Sequence, residues 1–282
     1  MKILVPTDYS ETADNALLYA LNLCKMYGGE ILVLHSYKLS IHALKNSTNT
    51  LEIAELDRTL DAFEHFKEKV VKMRLLAENN DLRDVDMKFI LEQGELVQNV
   101  QDVISKEAID LVVMGTTGKS GFDNKIFGSI TSAVIKNVTV PVLSIPHLCK
   151  FEGIDAVGFT TLYDAEEAAL LKNFTPLAKE HQIDIYCIHV NKGKQNKSDE
   201  EIELWKSVFQ KEPVFFIEKL GNKVFKSIVE TLDEHSIDVV SCITRNKSFI
   251  DRLFEGSVAE KLSYHKRVPL LTFHENYINK TL

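Results

Sequence analysis

Short runs of continuously apolar residues alternate along this chain with longer stretches whose apolar positions recur every three or four residues. Ile3-Leu4-Val5, Ile31 to Leu34, Met87 to Leu91, Leu111 to Met114 and Val140 to Ile145 are runs of the first kind. Strands that are apolar along their whole length, rather than at every second position, are covered on both faces, as in parallel sheets. Pro6 closes the first run because it cannot donate a ladder hydrogen bond. After it Ser10 can cap a helix whose apolar positions are Ala13, Ala16, Leu17, Ala20, Leu21 and Leu23, and the pair Gly28-Gly29 stops that helix. Residues 39 to 50 are polar and turn-rich. Leu51 to Ala77 then carries a long amphipathic pattern, with Leu60, Phe63, Phe66, Val70, Val71 and Leu75 read as one side. A further helix is expected over about Leu96 to Lys106, and another starts near Gly128-Ser129. Alternation of such strands and helices predicts a doubly wound α/β unit.

The pattern then begins again. Ala156 to Phe159 reads as a strand, Ala165 to Glu180 as a helix, and Ile183 to Val190 as a strand ending in His189-Val190, as the earlier one ends in His35-Ser36. Ile237-Asp238-Val239-Val240 echoes Ile109-Asp110-Leu111-Val112, Gly256-Ser257 echoes Gly128-Ser129, and Val268-Pro269-Leu270-Leu271 echoes Val140-Pro141-Val142-Leu143. The copies differ mainly in the length between their second and third strands. A chain of 282 residues accommodates two domains. The expected architecture is two tandem doubly wound domains, residues 1–147 and 152–282, each a mainly parallel five-stranded sheet with helices on both faces. The boundary falls near residues 147 to 152.

Composition adds exclusions. Apolar residues are 45% and charged residues 26% of the chain, as in ordinary folded proteins. A net charge of −8 repels the nucleic-acid backbone, so no nucleic-acid partner is expected, and Arg245 to Arg252 reads as a solvated loop. Cys24, Cys149, Cys187 and Cys242 lie far apart with no metal-binding spacing and read as buried free thiols. Met1 leads straight into the first strand, leaving no room for a secretory leader, and no apolar run approaches the roughly 18 to 20 residues of a membrane span. A cytoplasmic protein without a membrane partner is expected.

Ligands of open α/β sheets bind beyond the carboxyl ends of the strands. Thr7-Asp8 follows the first strand, His35-Ser36 the second, and Gly115-Thr116-Thr117-Gly118-Lys119-Ser120-Gly121 the fourth. Glycines at such a place allow a tight turn, positive φ and close approach of backbone N–H groups to an anion. Gly118-Lys119-Ser120 is not a P-loop, since Val113 stands where that motif needs its first glycine, and G-x-G-x-x-G is absent. The spacing Gly115, Gly118, Gly128-Ser129 resembles the phosphate-binding motif of the universal stress protein family. Ile3 to Ser10 resembles that family's first strand with its adenosine-contacting aspartate, and Val112 to Gly115 its fourth strand. The resemblance covers nearly all of residues 1–147 and, more weakly, the rest.

It implies an adenine nucleotide, ATP foremost, with Mg²⁺ as a candidate companion. Asp8, beside Pro6 and Thr7, would contact the adenosine end. Ser36 would line the adenine pocket through its backbone, and Met114 would pack near the base or ribose. Gly115, Gly118, Gly128 and Ser129 would hold the phosphates, with Lys119 in the loop and Ile130 and Thr131 at the start of the helix. It also implies pairing through Val140 to Ile145, as a homodimer or an intramolecular pseudo-dimer, and a protein partner of unknown identity that reads nucleotide occupancy.

The second half departs from this motif. Without gaps, Ile243 falls at Gly115 and Asn246 at Gly118, while Leu162 falls at Asp8, with Asp164 close by as a substitute only after a small shift. One site per chain is expected. An enzyme using the same pocket is the second reading, with Lys119 and Asp123 in the loop and Ser120 or Ser129 as self-phosphorylation sites. Phosphoryl transfer needs a metal-holding carboxylate and a base or water-orienting residue, and no such set is visible. The expectation is therefore a binding protein without catalytic or metal-ligating residues, with slow ATP hydrolysis or self-phosphorylation at most. A nucleotide-free interaction scaffold is the third reading. A phosphorelay receiver is excluded, because Gln93-Gly94-Glu95 and Pro146-His147 occupy the places of its phosphoacceptor and lysine.

Overall fold

A computed structural model describes residues 1–38, 48–116, 128–191, 193, 198–244, 268–274 and 277, with residues 48–57 described by backbone alone. The first half runs β1 (Lys2–Pro6), α1 (Glu11–Tyr27), β2 (Glu30–Tyr37), α2 (Thr48–Glu78), β3 (Asp86–Gln93), α3 (Leu96–Glu107), β4 (Leu111–Gly115), α4 (Ser129–Asn137) and β5 (Val142–Ile145). The second runs β6 (Ala156–Thr160), α5 (Ala165–Glu180), β7 (Asp184–Asn191), α6 (Asp199–Val208), β8 (Val214–Leu220), α7 (Val224–Glu234), β9 (Val239–Thr244) and β10 (Leu270–His274). The alternation expected from the apolar runs is present from β1 to β5 and from β6 to β9.

The strands form one ten-stranded sheet in the order β3-β2-β1-β4-β5-β10-β9-β6-β7-β8. Within each half every pairing is parallel, and the halves repeat each other's register: Ile3 faces Leu111 as Val157 faces Val239, and Val112 faces Val142 as Val240 faces Leu270. The halves meet through the antiparallel pair β5–β10, with Leu143 opposite Leu271. The Thr272 hydroxyl adds a bond to Val142 O at 3.1 Å. The edge expected to pair two copies of the chain is thus filled by the chain's own last strand, and a homodimer through β5 would have to displace β10.

Apolar residues of α1, α2, α5 and α6 share one core cluster that crosses both halves on one face of the sheet. On the other face α3 and α4 cover the first half, while α7 packs in a separate cluster on the second. Sequence spacing misassigned part of α2. Phe66, Met73 and Ala77 are buried, with Val70 packed beside them, whereas Leu60, Phe63, Val71 and Leu75 are exposed. The apolar pattern of this helix covers more than one face, and only the Phe66-Val70-Met73-Ala77 row at helical spacing meets the core. All four cysteines are buried free thiols, and burial raises each thiol, Cys24 to about 11 and Cys149 and Cys242 to about 12. No helix among the described residues is long and apolar enough to cross a membrane.

Both halves pin the start of their first strand with the aspartate that precedes their fourth. Asp110 accepts from Lys2 N at 2.7 Å, and Asp238 accepts from Asp155 N and Ala156 N at 2.8 and 2.9 Å. Hydrogen bonds to a charged acceptor outweigh neutral ones. Asp238→Ala is therefore expected to lower unfolding free energy by roughly 1–3 kcal/mol, read from the urea midpoint.

Candidate functional site

At the carboxyl end of β1, Thr7 N donates to Leu34 O at 2.8 Å and so continues the ladder beyond Pro6. His35 Nδ1 lies 2.8 Å from Thr7 O, and because a carbonyl only accepts, Nδ1 carries the proton. Two residues after Thr7, Tyr9 takes φ 61°, a left-handed conformation uncommon for a bulky side chain, and its ring stacks on His35 at 4.2 Å. Two short bonds hold the turn: Tyr9 N to Thr7 Oγ1 at 3.0 Å and Ser10 N to Asp8 Oδ1 at 3.1 Å. Ser10 in turn caps α1 by accepting from Ala13 N. The Ser36 hydroxyl, at the end of β2, accepts from the largely buried Asn99 of α3 at 3.0 Å.

Gly115 ends β4 next to these groups. A Cβ there would come within 2.6 Å of Thr12 Cγ2 and 3.0 Å of Thr12 O, so glycine is required by the close passage of α1. The positive φ expected of it is not found. Gly128 N donates to Thr116 O at 2.7 Å and the Thr131 hydroxyl donates to Gly115 O at 2.9 Å, which seats the start of α4 directly on the end of β4. Gly128 provides no side-chain cap and the first turn contains no acid, while Ser129 and Ile130 are exposed. The N-terminus of α4, the positive end of its dipole, thus lies at the carboxyl end of β4. Pro6 and Met114 are buried, Met114 in the core on the α3–α4 face. Gly118, Lys119, Ser120 and Asp123 lie outside the described residues. Pro6, Thr7, Asp8, Ser36, Gly115, Gly128, Ser129, Ile130 and Thr131 therefore gather at the ends of β1, β2 and β4. Sequence reasoning missed Tyr9, Asn99 and Thr12; for Thr12 there was no local signal, since its contact with Gly115 exists only once α1 packs on β4.

The model of the universal stress protein family matches residues 1–146. The chain belongs to that family. Universal stress protein MJ0531 of Methanocaldococcus jannaschii is 30% identical over 143 residues, covering 50% of this chain and 79% of the relative. Universal stress protein Slr1230 of Synechocystis is 25% identical over 293 residues, covering 96% of this chain and 99% of that one. Among solved structures, a universal stress protein from Archaeoglobus fulgidus covers 97% of this chain and 96% of its own at a TM-score of 0.70 and 18% identity, a likeness of fold.

Within this universal stress protein the second half keeps the frame of the crevice and changes its chemistry. His189 Nδ1 meets Thr161 O at 2.9 Å, Tyr163 N donates to Thr161 Oγ1 at 2.8 Å, and Tyr163 has φ 60°, so these residues repeat His35, Thr7 and Tyr9. Leu162, exposed, takes the place of Asp8. Asp164 is no substitute for it: it takes the place of Ser10 as the cap of α5, in a capping box with Glu167. Only 3% of Glu167 is exposed, and its Oε2 accepts from the Thr161 hydroxyl at 2.7 Å, Leu162 N at 2.8 Å and Asp164 N at 3.2 Å. The second crevice therefore contains a carboxylate of its own. At the end of β9, Ile243 is buried in the position of Gly115. Sequence reading passed over Glu167, although the D-x-x-E spacing was its signature.

Among the described residues no cluster of three or more His, Cys, Asp or Glu side chains could hold a metal ion. Near the first crevice burial raises Asp14 above its usual 3.8, with Lys69 opposing and Asp8 and Glu11 reinforcing the shift. A carboxyl raised on folding favours the folded state most below its unfolded value and loses that contribution as pH rises through the folded one. Asp14→Asn is accordingly expected to be more stable than the parent at neutral pH, with the advantage vanishing as pH falls through about 4. Urea midpoints at the two pH values measure this. Glu167→Ala strands three donors in the second half and is expected to cost roughly 2–4 kcal/mol, and Glu167→Gln about half as much, by the same measurement.

Proposed function

We propose that the first half binds an adenine nucleotide, ATP foremost, and that occupancy rather than turnover is the output of the protein. The observation that supports this most is the seating of an uncapped α4 N-terminus on the end of β4 by Gly128 N and the Thr131 hydroxyl, beside Asp8 and His35-Ser36. An elongated anion fits such a crevice with its phosphates at Gly128-Ser129 and its nucleoside toward Thr7, Asp8 and Ser36. A bound Mg²⁺ would offset phosphate charge there. Asp8 would accept hydrogen bonds from ribose hydroxyls, and the backbone of Ser36 would meet the base edge. Asn99 fixes the Ser36 end and Thr12 the Gly115 end, so the crevice is held open by groups outside it. The role proposed is that of a stress-response or signalling module whose loaded surface is read by a protein partner.

In the second half Leu162 replaces the Asp8 carboxylate and the buried Ile243 puts bulk where Gly115 stands, so the reading is one nucleotide per chain. That half is proposed as a packing copy.

Gly115→Val is a poor test because it strikes α1. Ser129→Asp is better, since an acid in the first turn favours a helix while repelling a phosphate. ATP titration by calorimetry is expected to show one site per chain. The affinity should fall about tenfold or more in Ser129→Asp and in Asp8→Ala, equivalent to about 1.4 kcal/mol, with no loss of melting temperature in Ser129→Asp. Adenine nucleotide released on denaturing the purified protein would agree. No binding by the intact protein sinks the reading in favour of a scaffold.

A further inference from the structure

Away from the crevice, the junction of the two halves forms an open cavity of about 360 Å³ on the face shared by α1 and α5. Its floor is made by interior strands of the sheet, with Leu111, Leu143, Leu271, Val239 and Val157 facing it. Leu23 and Tyr27 of α1 form one wall, and Leu171, Phe174 and Leu177 of α5 the other. Interior strands of such a sheet are normally covered on both faces. Here Leu111, Val157 and Leu271 keep partial exposure, and Leu177 is 42% exposed at the rim.

The lining selects among occupants. Ordered water needs two to four polar partners, and an almost wholly apolar wall does not supply them. A peptide would bury its own N–H and C=O groups against strands whose backbone groups are already spent in ladders. The volume lies within the range of small-molecule sites. Among the described lining residues Asp110 stands with Tyr277 and the charge of Asp155 reaches Tyr27, with Ser241 and the N-terminal Met1 also on the wall. An anionic head is disfavoured beside the two acids, and a hydrogen-bond donor is favoured.

We propose that this junction cavity is a binding site for a small, uncharged, largely apolar molecule carrying one hydrogen-bond donor, such as an alcohol or an arylamine, at its polar end. The site is independent of the nucleotide crevice and exists only because β5 and β10 join.

N-phenyl-1-naphthylamine, an apolar amine that fluoresces in apolar surroundings, is the probe. Saturable binding of one probe per full-length chain is expected, with the anionic 8-anilinonaphthalene-1-sulfonate binding more weakly. Val157→Phe fills the floor and Leu177→Trp covers the rim from a half-exposed position that folding does not depend on. Each is expected to weaken the probe about tenfold or more with an unchanged or raised melting temperature. Absence of saturable binding, binding by either variant as tight as the parent's, or tighter binding of the sulfonate overturns the proposal. Binding that appears only after deletion of residues 278–282 would make the chain itself the occupant. A dimer in sedimentation that the variants lose would make it a second copy. Either result also overturns it.

Discussion

The antiparallel pairing of β5 with β10 is the constraint on which the rest of the molecule depends. A five-stranded parallel half ends in a strand with one unpaired edge, and such an edge invites pairing with another chain. Here the repeat supplies the partner. Because the joined strands run in opposite directions, the two halves place α1 and α5 on the same face, and one core cluster runs beneath both. The connection between the halves is held to α1 as well, through Asn15 donating to Pro146 O and Cys149 O, and through Tyr19 edge-on to Phe151. Fusion of the sheets thus removes an edge, merges two cores into one and leaves a gap at the junction.

Duplication with a shared frame explains how the halves come to differ in chemistry without differing in shape. The strand-end histidine, the threonine and the left-handed tyrosine recur, because they shape the turn after the first strand whatever lies beyond it. What varies is which group satisfies that turn. In the first half Asp8 folds back onto Ser10 N, and α4 begins nearby at Gly128, which supplies no side-chain cap. In the second, Glu167 reaches from α5 and takes three donors at once. An internal carboxylate is always present at high effective concentration, so these three donors are not available to an external group.

The fold was legible because strands buried on both faces leave unbroken apolar runs and because a repeat checks each run against its copy. Register followed from the same echo, with Ile109 to Val112 and Ile237 to Val240 occupying equivalent places. The candidate site was legible as a set of strand ends. The reasons for its residues were less so. Gly115 reads in sequence as a turn residue, yet its role is to admit the backbone of α1, a contact between segments about one hundred residues apart. Asp164 looks like a displaced Asp8 until the backbone shows it beginning a helix. In α2 the apolar residues are too many for one face, and periodicity alone cannot say which row meets the core.

A single element links all of these features. α1 lays Thr12 against Gly115, ties Asn15 to the connection between halves, and places Leu23 and Tyr27 in the wall of the junction cavity. It is capped at one end by Ser10, ended by Gly28 at positive φ, and buried along most of one side. A helix so held moves as a unit, since bending it would break backbone bonds and open gaps in a close-packed core. The Thr12–Gly115 contact and the Tyr27 wall of the cavity are therefore carried by one element, although they lie at opposite ends of it. Such a shared rigid element is the physical requirement for coupling two distant sites, and by linkage any coupling it carries acts equally in both directions.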